Sequence, residues 1–197
     1  MSVDPLNAIL TGARFAGLSN DGISYGITGY FSVGRAVIGF DAAQTTFGEE
    51  GLNNGRTDDL NSVQVLVNAS YAIVSTGRLA VFPTLGAGFG RVKVSLRDRA
   101  GVGTQNAQPT FAEIAASPGL ESNLSGDHLL FSAGGGADYL ILKNVRDDFG
   151  IVFGVRAGYM LSPNRTTWTR GSQTVMAGPD AAAGGPFLRI AVGIGGR

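Results

Sequence analysis

The 197-residue sequence predicts an all-β fold: one domain over residues 1–197, built as an eight-stranded antiparallel up-and-down transmembrane β-barrel with short periplasmic turns and long outer loops. Three observations predict it. Apolar residues alternate with small or polar ones at period two in eight segments. The connections between those segments alternate short and long. Only seven of the 30 charged residues fall inside the segments: Arg14, Asp41, Arg91, Lys93, Asp138, Arg156 and Arg189.

Segment 7–18 is the weakest, included because the spacing of turn signals calls for a strand there. Segment 22–33 is the clearest. It sets Ile23, Tyr25, Ile27, Phe31 and Val33 against Gly22, Ser24, Gly26, Thr28 and Ser32. Segment 36–46 is weak again. Segment 61–73 opposes Val63, Val65, Val67, Ala69, Tyr71 and Ile73 to Ser62, Gln64, Leu66, Asn68 and Ser70. Segment 79–94 carries Val81, Pro83, Leu85, Ala87 and Phe89 on one face and Phe82, Thr84, Gly86, Gly88 and Gly90 on the other. Segments 128–142, 150–161 and 186–195 repeat the pattern, their apolar rows ending in Ile141, Leu161 and Ile194. Ser32–Arg35, Val74–Arg78 and Lys143–Phe149 are the short connections. Residues 47–60, 96–127 and 162–185 are the long ones. Soluble hairpins have no reason to alternate in this way, whereas an outer-membrane barrel does.

Composition narrows the class. Net charge is zero, which removes the basic footprint of a nucleic-acid binder. The absence of cysteine excludes thiolate catalysis and Cys-ligated metal, and one histidine argues against a His-rich metal site. The 31 glycines are roughly twice the usual share. No apolar run is long enough for a membrane-crossing helix. The second face of each segment is Gly, Ser, Thr, Asn and Gln with almost no Lys or Glu, a poor water-facing surface but a good filling for a narrow barrel. The apolar face then meets lipid, where a closed barrel satisfies every backbone group. Tyr25 and Tyr159 near the loop ends and Tyr71 and Tyr139 near the turn ends read as two aromatic girdles.

PTLGAGFGRVKV (83–94) and GIVFGVRAGYML (150–161) resemble strands of the small bacterial outer-membrane β-barrel superfamily, OmpA/OmpX/OmpW-like. The resemblance covers nearly the whole chain through loose motifs of alternating Gly and apolar residues. It implies a bacterial outer-membrane location and contact with outer-membrane lipid and lipopolysaccharide. The chain departs from the pattern at Gly195-Gly196-Arg197, where such barrels end in an aromatic residue. Its opening residues have neither the basic n-region nor the apolar h-region of a signal peptide, so this location is expected of a mature chain.

The lumen-facing polar set is Arg14, Asp41, Gln64, Asn68, His128, Asp138, Arg156 and Arg189, read as a hydrogen-bonded plug, with a gated polar path as the alternative. Asp41 is the expected partner of Arg156 or Arg189. His128 and Ser132 share a face but stand about 13 Å apart at 3.3 Å per residue, too far for a nucleophile–base pair. No enzyme, catalytic residue or cofactor is expected. The Gly runs GAGFG (86–90) and AGGGAD (133–138) lie inside strand patterns, not in the strand–loop–helix setting of a phosphate site. Acidic residues of 48–60 lack calcium-loop spacing, so no metal is expected. Loop 96–127, with a short helix expected at 111–117, is the candidate contact for another envelope protein. Trp168, the only tryptophan, reads as an interface anchor or exposed recognition aromatic. The functional expectation is a structural, anchoring or surface-binding role through the outer loops. The alternatives are a narrow channel for small or hydrophobic solutes and a soluble or self-assembling barrel subunit.

Overall fold

Asp4 and Pro5 open a helix rather than a strand. The computed structural model describes residues 4–49, 56–99, 101, 103, 108–143, 149–181 and 184–196. Its first element is α1 (Asp4–Gly12), which corrects the strand expected over 7–18. Pro5 sits in the first turn, where its missing N–H leaves no bond unmade. Leu6 and Leu10, four residues apart, supply the buried stripe. The Asn7 amide donates to the Leu18 carbonyl at 2.9 Å and its oxygen accepts from the Leu18 N–H at 2.7 Å, fixing the helix to the strand that follows.

The other seven expected strands are present, several of them longer than the periodicity indicated. They are β1 (Leu18–Val33), β2 (Ala36–Glu49), β3 (Arg56–Tyr71), β5 (Leu79–Asp98), β6 (Ser122–Lys143), β7 (Phe149–Leu161) and β10 (Gly185–Gly196). They pair antiparallel in the order β1-β2-β3-β5-β6-β7-β10. Three short strands complete the ten: β4 (Val74–Ser75) pairs with β5, and β8 (Thr167–Arg170) pairs with both β6 and β9 (Gln173–Thr174). The short connections gather at one end of the sheet, the turn end. Gly34, at φ 62°, opens the two-residue turn between β1 and β2, the position where a II′ turn needs positive φ. The long connections gather at the opposite, loop end.

The sheet is curled, not flat. Arg189 on β10 reaches Asp41 on β2 at 3.2 Å, across the concave side. The expected faces are the observed ones. Val63, Val65 and Val67 on β3 are exposed on the convex side, while Leu60, Ser62, Gln64 and Leu66 are buried on the concave side. The same parity holds on β5, where Leu85 and Phe89 point out and Phe82, Val92 and Val94 point in.

The core fills the loop-end half of the curl. Leu60, Val92, Val94, Leu96 and Leu124 from the sheet meet Leu6 and Leu10 of α1, together with Phe111, Ile114 and Ala115 of α2 (Phe111–Ala116). Thr110 and Glu113 form a capping box that starts α2 within the stretch expected to be helical. Arg56 ties the cap together. It pairs with Asp98 at 2.8 Å, donates to the Ala13 carbonyl after α1 and to the Ala116 carbonyl at the end of α2 at 3.3 Å, and lies over the Phe15 ring. Trp168 completes the packing, 1 % exposed and edge-on to Phe111 at 5.0 Å, with its indole N–H donating to the Pro179 carbonyl at 2.7 Å. This overturns the reading of an exposed recognition aromatic.

Two substitutions separate the contributions of core and cap. Leu60→Ala leaves a cavity where sheet and helices meet and is expected to cost about 2–5 kcal/mol. Thr110→Ala removes only the α2 cap and is expected to cost about 1 kcal/mol. Equilibrium denaturant unfolding of the two variants checks the order.

Candidate functional site

Below the apolar core the concave side turns polar. Inward positions on β1, β2, β3, β5, β6 and β7 alternate with the outward apolar rows. At mid-depth they present Thr28, Asp41, Asn68, Thr84, Asp138 and Arg156 around a cavity of about 380 Å³. Val37, Ala72, Ala80, Phe82, Leu140 and Val152 line it towards the turn end.

Two ion pairs organise this region. The Asp41 carboxylate accepts from the Thr28 hydroxyl at 2.6 Å, the Asn68 amide at 2.8 Å and the Arg189 guanidinium at 3.2 Å. Asp138 pairs with Arg156 at 3.4 Å. The Arg156 guanidinium stands 5.6 Å from the Phe82 ring and 5.9 Å from the Tyr30 ring. Arg189 lies 4.9 Å over Phe187. Each buried carboxylate therefore has a cation beside it, the condition under which such charges are tolerated. The assembly is neutral, rich in hydroxyls and amides, and holds no side chain poised as a nucleophile beside a base.

Of the residues assigned to the lumen from sequence, Asp41, Gln64, Asn68, His128, Asp138, Arg156 and Arg189 all stand on concave-side positions. Asp41 takes Arg189, one of its two expected partners, and Arg156 goes to Asp138. Arg14 does not join them. It follows α1 in an exposed turn at φ 66°, because the segment carrying it is not a strand. His128 is buried on the same face as Ser132, four residues away along β6. The glycine runs lie within β5 and β6. Asp58 and Asp59 belong to β3, one facing in and one out, while Glu50 lies outside the described residues. Among the described residues no group of three or more metal-ligating side chains occurs.

The convex side carries a second organised surface. Tyr25, Tyr71, Tyr139 and Tyr159 all point outward, each about half exposed. Between them runs a belt of exposed apolar side chains, including Ile27, Val65, Leu85, Phe131, Val155 and Ile190. On β6 the belt runs from Leu129 to Tyr139, roughly 33 Å along a strand at 3.3 Å per residue. At a tilt of about 40° this is near the 25 Å height of a membrane barrel's apolar band. Towards the loop end the same outward positions become polar: Arg91, Lys93 and Ser95 on β5, and Asp127, Ser125 and Asn123 on β6. Arg91 grips Asp127 with two bonds, at 2.6 and 2.9 Å. These bonds hold the Asp127 carboxyl below its usual range and raise the Arg91 guanidinium further. On β3 the switch falls between Val63 and Asn61.

Arg56, which joins α1, α2 and β5, was missed in the sequence because it stands among acidic residues of an expected loop. The Asp-Pro start of α1 was the signal that could have revealed the helix. Comparison with known proteins identifies no match: no family model, curated protein or solved structure corresponds to this chain.

The cross-sheet pair yields a directional test. Asp41→Ala leaves the Arg189 charge without its carboxylate and is expected to destabilise the fold by on the order of 3–5 kcal/mol. A double variant, Asp41→Leu with Arg189→Met, is expected to recover most of that loss, because an apolar pair leaves no orphaned charge. Denaturant midpoints of wild type, both single variants and the double variant give the coupling directly.

Proposed function

We propose that the chain is a membrane-embedded β-barrel protein of the bacterial outer membrane, with a structural, anchoring or surface-binding role exercised through its loop end. The single observation that carries this reading is the outward apolar belt, closed off towards the loop end by the Arg91–Asp127 row. A water-facing sheet would not leave Ile23, Leu188 and Ile194 more than 70 % exposed on one continuous face. In lipid the same exposure is favourable, and each strand needs only about 9–11 residues to cross. The outward tyrosines then sit at the two interfaces with their hydroxyls in water. The loop-end cap, formed by α1, α2 and the β8–β9 hairpin, is the surface offered beyond the lipid. There the 96–127 segment is the proposed contact for another envelope protein.

A conducting channel is less well supported by the interior. Leu60, Val92, Leu96 and Phe111 fill the loop-end half of the curl at 0 % exposure, with no polar route past them. The polar cavity therefore ends blindly below an apolar plug, and planar-bilayer recordings are expected to show no unitary conductance steps.

The belt can be tested against the soluble, self-assembling alternative with one residue. Leu85→Arg places a charge at mid-belt and is expected to disfavour membrane insertion by about 2–4 kcal/mol. A soluble subunit would tolerate the change. Vesicle flotation of wild type and variant, with migration of boiled and unboiled detergent-extracted protein, reads the difference. Flotation and a boiling-dependent shift of the wild type, both weakened in the variant, support the membrane reading. Wild type that stays in plain buffer without detergent overturns it.

A further inference from the structure

Seven long strands joined antiparallel fix the direction of both sheet edges. β1 and β10 stand at opposite ends of the order, and both run from the loop end to the turn end. Among the described residues no ladder joins them. The inner-face residues Ser24, Gly26 and Thr28 on β1 are exposed, unlike Ser62, Gln64 and Leu66 on the interior strand β3. Yet the curl brings the two flanks close. Arg189 on β10 reaches past β1 to Asp41 on β2, and Arg156 on β7 lies 5.9 Å from the Tyr30 ring on β1. The wall is thus open along one seam, and both of its edges need a strand of opposite direction.

We infer that the seam between β1 and β10 is a docking slot for one extended segment of a partner polypeptide, inserted as an eighth strand running from the turn end to the loop end. Only that direction pairs antiparallel with both edges at once. The neighbours set its chemistry. Outward it continues the row of Ile23, Tyr25 and Ile27 on one side and Leu188, Ile190 and Val192 on the other, so those positions are large and apolar. Inward it passes over the Arg189–Asp41 pair, so those positions are small. About ten residues suffice for the crossing.

The 197 residues themselves hold no such segment. The longest undescribed stretch, 50–55, spans about 20 Å at 3.3 Å per residue and joins β2 to β3. A second copy does not fit either. Copies inserted in the same sense offer only edges that run the same way, and an inverted copy carries its Arg91–Asp127 row to the opposite interface. This exclusion and the outward apolar chemistry rest on the membrane reading above; the strand direction does not.

The absence of native cysteine makes the test clean. In detergent micelles, three double variants join Ile27→Cys with Leu188→Cys, Ile190→Cys or Val192→Cys, staggered to cover neighbouring registers. If β1 and β10 pair directly, one of the three forms an intramolecular disulfide under mild oxidant. If a strand's width separates them, the sulfurs are about 10 Å apart, beyond bridging distance, and all three stay reduced. The docking probe is a synthetic peptide of residues 150–161 carrying Arg156→Ser, spin-labelled at its N-terminus. The control is the same peptide N-methylated at alternate residues. The expected result is three reduced variants and one bound peptide per chain. Its label should lie closer to a nitroxide at Val33→Cys than to one at Ile23→Cys, and the N-methylated peptide should not bind. A disulfide in any pair, a particle containing two chains, no binding of the probe, or the opposite label order overturns the inference. The vesicle experiment reports separately on the membrane reading.

Discussion

The curl depends on what the inner face leaves out. A sheet bends sharply only if the side chains on its concave side do not collide as the strands close, and here the inward positions at the closest approaches are glycine. A Cβ at Gly26 would overlap the Ala42 carbonyl oxygen, and one at Gly88 the Val65 carbonyl oxygen. Gly134 and Gly158 face each other across the β6–β7 pair under the same restriction. These contacts are with backbone, so no rotamer change relieves them. The high glycine content is therefore a condition for curvature, and without it Arg189 could not reach Asp41.

Curvature creates an interior, and the chain divides it by depth. At the loop end the inward residues are Leu and Val, long enough to meet α1 and α2 on the axis. At mid-depth they shrink to Gly, Ser and Thr, leaving room for two arginines and two aspartates. Each arginine stretches between strands that do not pair, β10 to β2 and β7 towards β1, so the ion pairs act as cross-braces holding the curl. Their net worth is smaller than the contacts suggest, since desolvation offsets much of the attraction. Their effect on which strands stand opposite one another is large, because an unpaired charge there is costly.

Much of this was legible in the sequence, and the parts that were not share a cause. Period-two alternation gave seven strands and the correct face for nearly every residue, because pleating fixes side-chain direction regardless of tertiary context. Strand ends were placed short at the loop end. Beyond Leu60, Val94 and Leu124 the outward residues become charged, so a search for apolar stripes stops where the ladder does not. The lumen set was readable because an Asp or Arg among inward small residues has nowhere else to point. The cap was not. Trp168 is buried by α2 and by residues near 179, which period counting does not connect to it, and Arg56 gains its role from two helix ends distant in sequence. Arg14 was misplaced because the weak alternation of 7–18 was given the weight of its neighbours, although Leu6 and Leu10 already carry helical spacing.

That helix changes the meaning of the strand count. An up-and-down sheet with an even number of strands has edges that run in opposite directions and can close on each other antiparallel. Turning the first segment into α1 removes one strand from the set and reverses that relation, so the two outer strands run the same way. The helix cannot substitute for the missing strand. Leu6 and Leu10 commit it to the core at the loop end, and Asn7 holds it over the start of β1 through both of its amide groups. The local signal that starts α1 at Asp4 and Pro5 therefore also decides that the long-strand wall, as built from these residues, ends in two edges of equal polarity. Direct pairing of those edges would need a parallel ladder beside six antiparallel ones. It would also have to fit over the Arg189–Asp41 pair, which already occupies the concave side where they would meet.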